Sequence, residues 1–282
     1  WPAYLHALKK ANIPTYSISS IFRPQQLFFK PWGKPYLNLL KCFTQIFVQD
    51  ADSHALLLKH GIANSVVTGD TRFDRVAEIQ QAHKDILVVQ RFIEGSDKVI
   101  VAGSTWPKDE QLLAQYMQTL ENRLDNNKNI KLIIAPHEID EKHMHFLFQL
   151  FKGRYVRYTQ ANHISMQHAN ILIIDTIGLL SSIYQYGTAA YIGGGFGAGI
   201  HNSIEAAVYG IPLVWGPNYK RFREAKGLIQ SGAAQSITNY KQLELALDYA
   251  LANHTEIGIK SAQYVHSELG ATDKLYNRLF KN

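Results

Sequence analysis

The feature that most limits what this chain can fold into is its alternation of short apolar runs with longer segments of helical period. The runs fall at Gln45–Val48, Ser65–Val67, Lys98–Ala102, Lys131–Ala135, Tyr155–Tyr158, Asn170–Ile174, Ala189–Ile192 and Pro212–Trp215. Many are separated by helical spacing of apolar residues, as in Asp109–Leu124, Asp140–Phe151, Leu179–Tyr186, Ser203–Tyr209, Arg221–Gln230 and Lys241–Ala252. Strands apolar on both faces need cover on both faces, and helices inserted between them supply it. The pattern predicts an α/β chain with a doubly wound, mostly parallel sheet.

A seam interrupts this alternation. A polar helix is expected over Arg75–Lys84, then a charged turn, Glu94-Gly95-Ser96-Asp97, after which a fresh series of strands begins. Five or six strands follow the seam, enough for a whole doubly wound domain, while only two or three precede it. The expected organisation is therefore residues 1–85 as the end of one domain plus a linker, and 86–282 as a second domain closed by a C-terminal helix. Opening on Trp1 rather than methionine gives the expectation that something upstream has been removed.

Composition narrows the class further. Hydrophobic residues at 46% and charged residues at 18% suit a globular protein. The single cysteine, Cys42, excludes an internal disulfide framework and suits a reducing cytoplasm. No uninterrupted apolar run is long enough to span a bilayer, since Ile86–Ile93 is broken by Gln90 and Arg91, and no signal-peptide pattern is present. The net charge of +6 is uneven: no acidic residue precedes Asp50, whereas Lys9, Lys10, Arg23, Lys30, Lys34 and Lys41 are basic. Phe22, Phe28, Phe29, Trp32 and Tyr36 are threaded among them. Such a surface attracts an anionic membrane or a phosphorylated ligand; nucleic acid ranks third, because no recognised binding motif accompanies the charge. The plain alternative is a domain face whose apolar partner is missing.

The segment with the most chemistry is Tyr191-Ile192-Gly193-Gly194-Gly195-Phe196-Gly197-Ala198-Gly199-Ile200-His201-Asn202-Ser203-Ile204-Glu205, a buried strand running into five glycines and then a helix start. Glycines allow close backbone approach, and the free amides of a helix start attract phosphate. Asn202 and Glu205 share a face of the first turn, where Glu205 can accept from two ribose hydroxyls while Asn202 caps the helix. The competing account is a tight turn with an N-cap and Glu205 as its matching N3 residue. Gly193–Ala198 also satisfies G-x-G-x-x-A, but the next strand ends Val214-Trp215-Gly216-Pro217 with no acid to hold a ribose, which disfavours NAD.

Three further segments end strands and precede helices. In Asp175-Thr176-Ile177-Gly178, Thr176 and the amides of Gly178 and Leu179 can hold a base or phosphate, and capping by Asp175 or Thr176 is the alternative. In Ala102–Glu110, Ser104 and Thr105 offer hydroxyls and amides to an anion, with Pro107 placed at the first helical position. Pro136-His137-Glu138 places His137 where it can meet phosphate, base or ribose. The spacing of His137, His143 and His145 is not H-E-x-x-H, so no metal is expected, and a solvated helix accounts for His143 and His145. Earlier, Thr68-Gly69-Asp70-Thr71-Arg72-Phe73-Asp74 closes a strand with Arg72 as a phosphate or carboxylate contact, or as half of a surface pair with an aspartate.

In this order the segments resemble the 3-deoxy-D-manno-octulosonate (Kdo) transferases, a GT-B family. Trp1-Pro2 is similar to the end of its Glu-x-x-x-Trp-Pro segment and Thr68–Asp74 to its Thr-Gly-Asn-x-Lys-Phe-Asp. Gly103-Ser104-Thr105, Pro136-His137, Asp175–Gly178 and the glycine-rich His201-Asn202-x-x-Glu205 follow. The resemblance implies a GT-B fold: an N-terminal acceptor-binding domain represented by 1–85 and a CMP-Kdo-binding domain over 86–282. It implies Kdo transfer from CMP-Kdo to a lipid A precursor, without metal or cofactor, at the cytoplasmic face of the inner membrane. It further implies CMP contacts at Pro136, His137, Ile177, Gly178, Leu179, Asn202, Ser203, Ile204 and Glu205, with Ser104, Thr105, His201 and Arg72 as further donor contacts. An arginine is usual where His137 stands and a glutamate where Leu179 stands. The family's general base, a glutamate, would lie upstream of Trp1, so the chain is expected to bind CMP without catalysing transfer. The rival expectations are a GT-B transferase or 2-epimerase that uses a UDP-sugar, and a non-catalytic nucleotide-binding or membrane-associated module.

Overall fold

The computed structural model describes residues 2–82, 84–123 and 129–281. Trp1 and Leu124, the end of one expected helix, lie outside these. The chain forms two compact units, residues 1–75 with 268–282, and 76–267.

The first unit is built on a three-stranded parallel sheet in the order β1 (Tyr16–Ser20), β2 (Gln45–Val48), β3 (Ser65–Val67). β1 escapes the apolar-run rule because it is a polar edge strand, with Ser17 and Ser20 hydrogen-bonded to each other at 2.6 Å and Ile18 exposed. Leu40, Ile46, Val48, Leu57 and Ile62 form the core, and Phe22, Phe28 and Phe29 pack on it in edge-to-face pairs about 6 Å apart. Of the five aromatics expected on a basic surface, these three therefore line a core. Only Trp32, 70% exposed, and Tyr36, 45% exposed, stand at the surface.

The last helix, Ala271–Phe280, returns to this unit. The Asp74 carboxylate accepts from the amides of Gly270 and Thr272, both at 2.7 Å, and so satisfies the start of that helix. The expected boundary at 85 with all later residues in the second domain thus differs from the structure. The units divide at 75, and the C-terminal helix belongs with the first, where a carboxylate meets its orphan amides.

The second unit carries a seven-stranded parallel sheet, where five or six strands were expected. Its strands are β4 (Lys98–Thr105), β5 (Ile130–Pro136), β6 (Tyr155–Arg157), β7 (Ile171–Ile173), β8 (Ala189–Ile192), β9 (Leu213–Trp215) and β10 (Ala234–Ser236). They lie in the order β10-β9-β8-β4-β5-β7-β6. β10, Ala-Gln-Ser, is too short and polar to register as a run. Ile100, Leu132, Ile134, Ile171, Tyr191 and Val214 are buried on one face against helices Pro107–Asn122 and Tyr240–Ala252. From β4 the chain passes to β5, then to the edge strand β6 and back to β7 between β5 and β6, and crosses over to begin the other half at β8. The order reverses between β4 and β8, and in open α/β sheets the crevice beyond the strand ends at such a reversal is where ligands bind.

Candidate functional site

Every segment expected to bind ligand in the second unit lies at or beyond the C-terminal ends of β4, β5, β7 or β8. β4 and β5 end in register, Thr105 opposite Pro136, with a bulge at Ser104, whose φ of 52° is left-handed. Thr105 is fully buried. Its hydroxyl donates to Glu110 at 2.9 Å, and its carbonyl accepts from the His137 amide. This corrects the expectation for Thr105: its polar atoms serve the fold, while Ser104 stays half-buried at the edge.

The helix Pro107–Asn122 begins with Pro107 at its first position, as expected, after Trp106. Asp109 is completely buried and accepts three hydrogen bonds: the Trp106 amide at 3.0 Å, the Tyr191 hydroxyl at 2.7 Å and the Gly194 amide at 2.9 Å. One carboxylate thus ties the helix start, β8 and the glycine turn together. Burial raises its pKa above the ordinary carboxylate range, with the three donors pulling the other way. Glu110 beside it is also raised by burial and pairs with His143 Nε2 at 2.9 Å. His143 is accordingly a buried partner of Glu110 rather than a histidine on a solvated face; His145 is exposed as expected. Among the described residues Glu138, Asp140 and His143 bring three potential metal-ligand atoms within 4.8 Å of one another. His143 Nε2 is already held by Glu110, and Asp140 caps the helix Glu141–Leu150 by accepting from the His143 amide.

The glycine turn is shaped largely by its own chain. A Cβ on Gly193 would stand 2.2 Å from the Ser104 carbonyl oxygen, and one on Gly195 2.6 Å from the backbone of Gly216. Gly194 and Gly199 take φ of 87° and 133°. Gly197 alone of the five would take a Cβ without a clash, the nearest atom then lying 3.7 Å away at ordinary contact distance. A cavity of about 550 Å³ opens against this turn, lined by Trp106, Lys108, Gly197, His201, Arg221 and Phe222 among others.

Asn202 does not cap. The short helix Ile204–Ala207 has Ser203 at its N-cap position without a side-chain bond. The Asn202 amide instead donates to Glu205 Oε1 at 2.8 Å, which removes both the capping role and the capping-box alternative. Asn202 Oδ1 is buried without a hydrogen bond among the described residues. Glu205 is half-buried, and burial raises its pKa while the Asn202 bond lowers it. Its charge helps raise the pKa of the buried Tyr184, whose hydroxyl sits where a Cβ on Gly103 would be, so Glu205 is within electrostatic reach of the end of β4. Ser203 and Ile204 are fully buried, leaving neither side chain at the surface.

Beyond β7, Asp175 accepts from Arg157 and from the Thr159 amide and hydroxyl, at 2.6–3.0 Å, and these bonds lower its pKa against the opposing cost of burial. Neither it nor Thr176 caps the helix Leu180–Ile183, whose N-cap is Leu179. Pinning Asp175 leaves Ile177, 83% exposed, and Gly178, φ 92°, projecting at the crevice edge. Arg72 lies in the first unit, paired with buried Asp70 at 2.7 Å, which is the ion-pair alternative. The sequence reading missed Trp106, Asp109, Lys108, Arg221 and Phe222. Of these only Asp109 carried a local signal, three residues past the cap.

The family model described as 3-deoxy-D-manno-octulosonic-acid transferase (kdotransferase) matches residues 1–75. The Kdo transferase of Rickettsia felis is 25% identical over 83% of this chain and 50% of its own length. That of Bordetella pertussis is 25% identical over 89% of this chain and 58% of its own. The chain thus spans about half the length of the curated relatives it matches. Among solved structures, the C-terminal CMP-Kdo binding domain of WaaA from Acinetobacter baumannii superposes with a TM-score of 0.54 at 20% identity, over 70% of this chain and 97% of that domain. UDP-GlcNAc 2-epimerase from Neisseria meningitidis superposes at 0.63 with 16% identity, over 100% of this chain and 73% of that one. These likenesses place the fold among the GT-B enzymes, and the chain is similar to the Kdo transferases, through the family model over its first 75 residues and through curated relatives over most of its length.

Proposed function

We propose that this chain serves a Kdo transferase that moves Kdo from CMP-Kdo to a lipid A precursor, and that its second unit holds the CMP. The observation that carries this is the Asn202–Glu205 pair: a half-buried carboxylate fixed by one amide, beside an acceptor without a partner among the described residues, near the strand ends where the sheet order reverses. Glu205 takes the ribose hydroxyls, the His137 side chain and the amide after Ile177 hold base or phosphate, and Ser104 and His201 complete the donor site. Lys108 and Arg221 at the neighbouring cavity supply positive charge, so the reading needs no metal.

CMP is a good leaving group, and the enzyme's task is to position donor and acceptor, stabilise developing charge and remove the acceptor proton. The basic N-terminal residues, with Trp32 and Tyr36 exposed among them, support contact with an acidic acceptor or an anionic membrane, hence a place at the inner membrane's cytoplasmic face.

Calorimetric titration tests the donor assignment. CMP should bind in preference to UDP, and Glu205→Ala should weaken it about 10- to 100-fold, the worth of hydrogen bonds to a charged group. No heat with CMP, or tighter binding of UDP, would overturn it, the latter favouring a UDP-sugar enzyme.

A further inference from the structure

Trp106 and His201 lie side by side with ring planes 14° apart, and the indole Nε1–H points at His201 Nε2 from 3.1 Å. An indole nitrogen can only donate, so the imidazole nitrogen facing it must carry the lone pair. That settles the tautomer: His201 is neutral with its proton on Nδ1. The rest of the surroundings hold it there. His137 stacks on both rings, 4.3 Å from His201 and 4.8 Å from Trp106. Gly194 closes the Cδ2–Nε2 edge so tightly that a Cβ would stand 2.9 Å and 3.2 Å from those atoms. Nδ1, by contrast, makes no hydrogen bond among the described residues, and His201 lines the cavity that also holds Lys108 and Arg221.

We infer that Trp106 is a positioning residue, acting through His201, which it fixes as a neutral Nδ1–H donor to an oxygen of an anionic ligand bound against the glycine turn. The ligand's identity rests on the CMP reading; the tautomer does not.

Protonating Nε2 would set N–H against N–H. The neighbouring charges discourage it as well: Lys108 and Arg221 share the cavity, His137 covers the ring face, and the adjacent carboxylate, Asp109, is spent on three hydrogen bonds. Burial and His137 hold the His201 pKa below the usual imidazole range, in the same direction. The site gains in return a donor whose orientation and charge state do not change across neutral pH, with the cavity cations left to supply the attraction.

The test is ring ¹⁵N NMR of the whole chain together with CMP titrations. Wild type should keep His201 as the Nδ1–H form through neutral pH, and Trp106→Phe should let it charge at a higher pH than wild type does. CMP affinity at about pH 7.5 should fall about three- to ten-fold in Trp106→Phe, as for one oriented hydrogen bond, and recover on acidification relative to wild type. His201→Asn, which keeps an amide donor near the Nδ1 position, should retain more affinity than His201→Gln, which does not; this pair stands if Trp106→Phe folds poorly. An Nε2–H tautomer in wild type overturns the inference whatever CMP does, as does equal binding by the Asn and Gln variants. An Nδ1–H spectrum with pyrophosphate binding but no CMP heat would sink the CMP reading and leave this one standing.

Discussion

Replacing Gly195 and Gly197 by alanine separates the glycines the fold requires from the one that faces a ligand. At Gly195 the new methyl would stand 2.6 Å from Gly216 N and Cα and 2.9 Å from its carbonyl carbon. Both sides of this contact are backbone, so no rotamer change can relieve it, and the segments must part by roughly 0.8 Å to reach ordinary contact distance. Parting them also strains the Asn218 amide bond to the Gly195 carbonyl, 2.9 Å long. Overpacking of about 2 kcal/mol and the loss of one hydrogen bond at about 1 kcal/mol together give about 3 kcal/mol. In a unit of this size that lowers Tm by about 6–12 °C. Gly197 has nothing closer than 3.7 Å, and alanine there should leave Tm within about 2 °C while its methyl stands beside the cavity and weakens CMP. Thermal unfolding followed by circular dichroism, with CMP titration of both variants, reads the two effects apart. Equal Tm losses, or a Gly195→Ala Tm within about 2 °C of wild type, would refute the reasoning.

Two more outcomes follow from single carboxylates. Burial raises the Glu205 pKa, so folding loses stability as pH climbs from the unfolded value near 4.5 through the higher folded value, and the loss persists above it. Glu205→Gln should therefore be more stable than wild type at pH 7 though weaker for CMP. Urea titrations should show that advantage disappearing below about pH 4. Asp74→Ala should cost about 1 kcal/mol and speed amide exchange in Ala271–Phe280 before it affects β8 or β9; unchanged exchange in that helix would contradict its dependence on Asp74.

The fold class was legible because it rests on local periodicity: Ala189–Ile192 reads as a buried strand in any context, and its four residues are buried in the structure. The same holds for the strand-to-helix junctions at Thr105–Pro107, Pro136 and His201–Glu205, whose place at one sheet edge follows from a parallel sheet. β1 and β10 were not legible, since their serines and glutamine reveal a strand only when a neighbour supplies the ladder. What a side chain does at the site was decided by tertiary structure. Thr105 became a buried donor to Glu110, His143 was drawn from an expected solvated face into the core, and Asn202 turned from the helix end to Glu205. Trp106 found His201 across 95 positions. Sequence alone determined which residues arrive at the crevice, because period and turn chemistry act over a few neighbours. Only the folded chain decided which of them spend their hydrogen bonds on each other and which keep one for a ligand, because a polar atom's partner is whatever the packing of distant segments brings within about 3 Å.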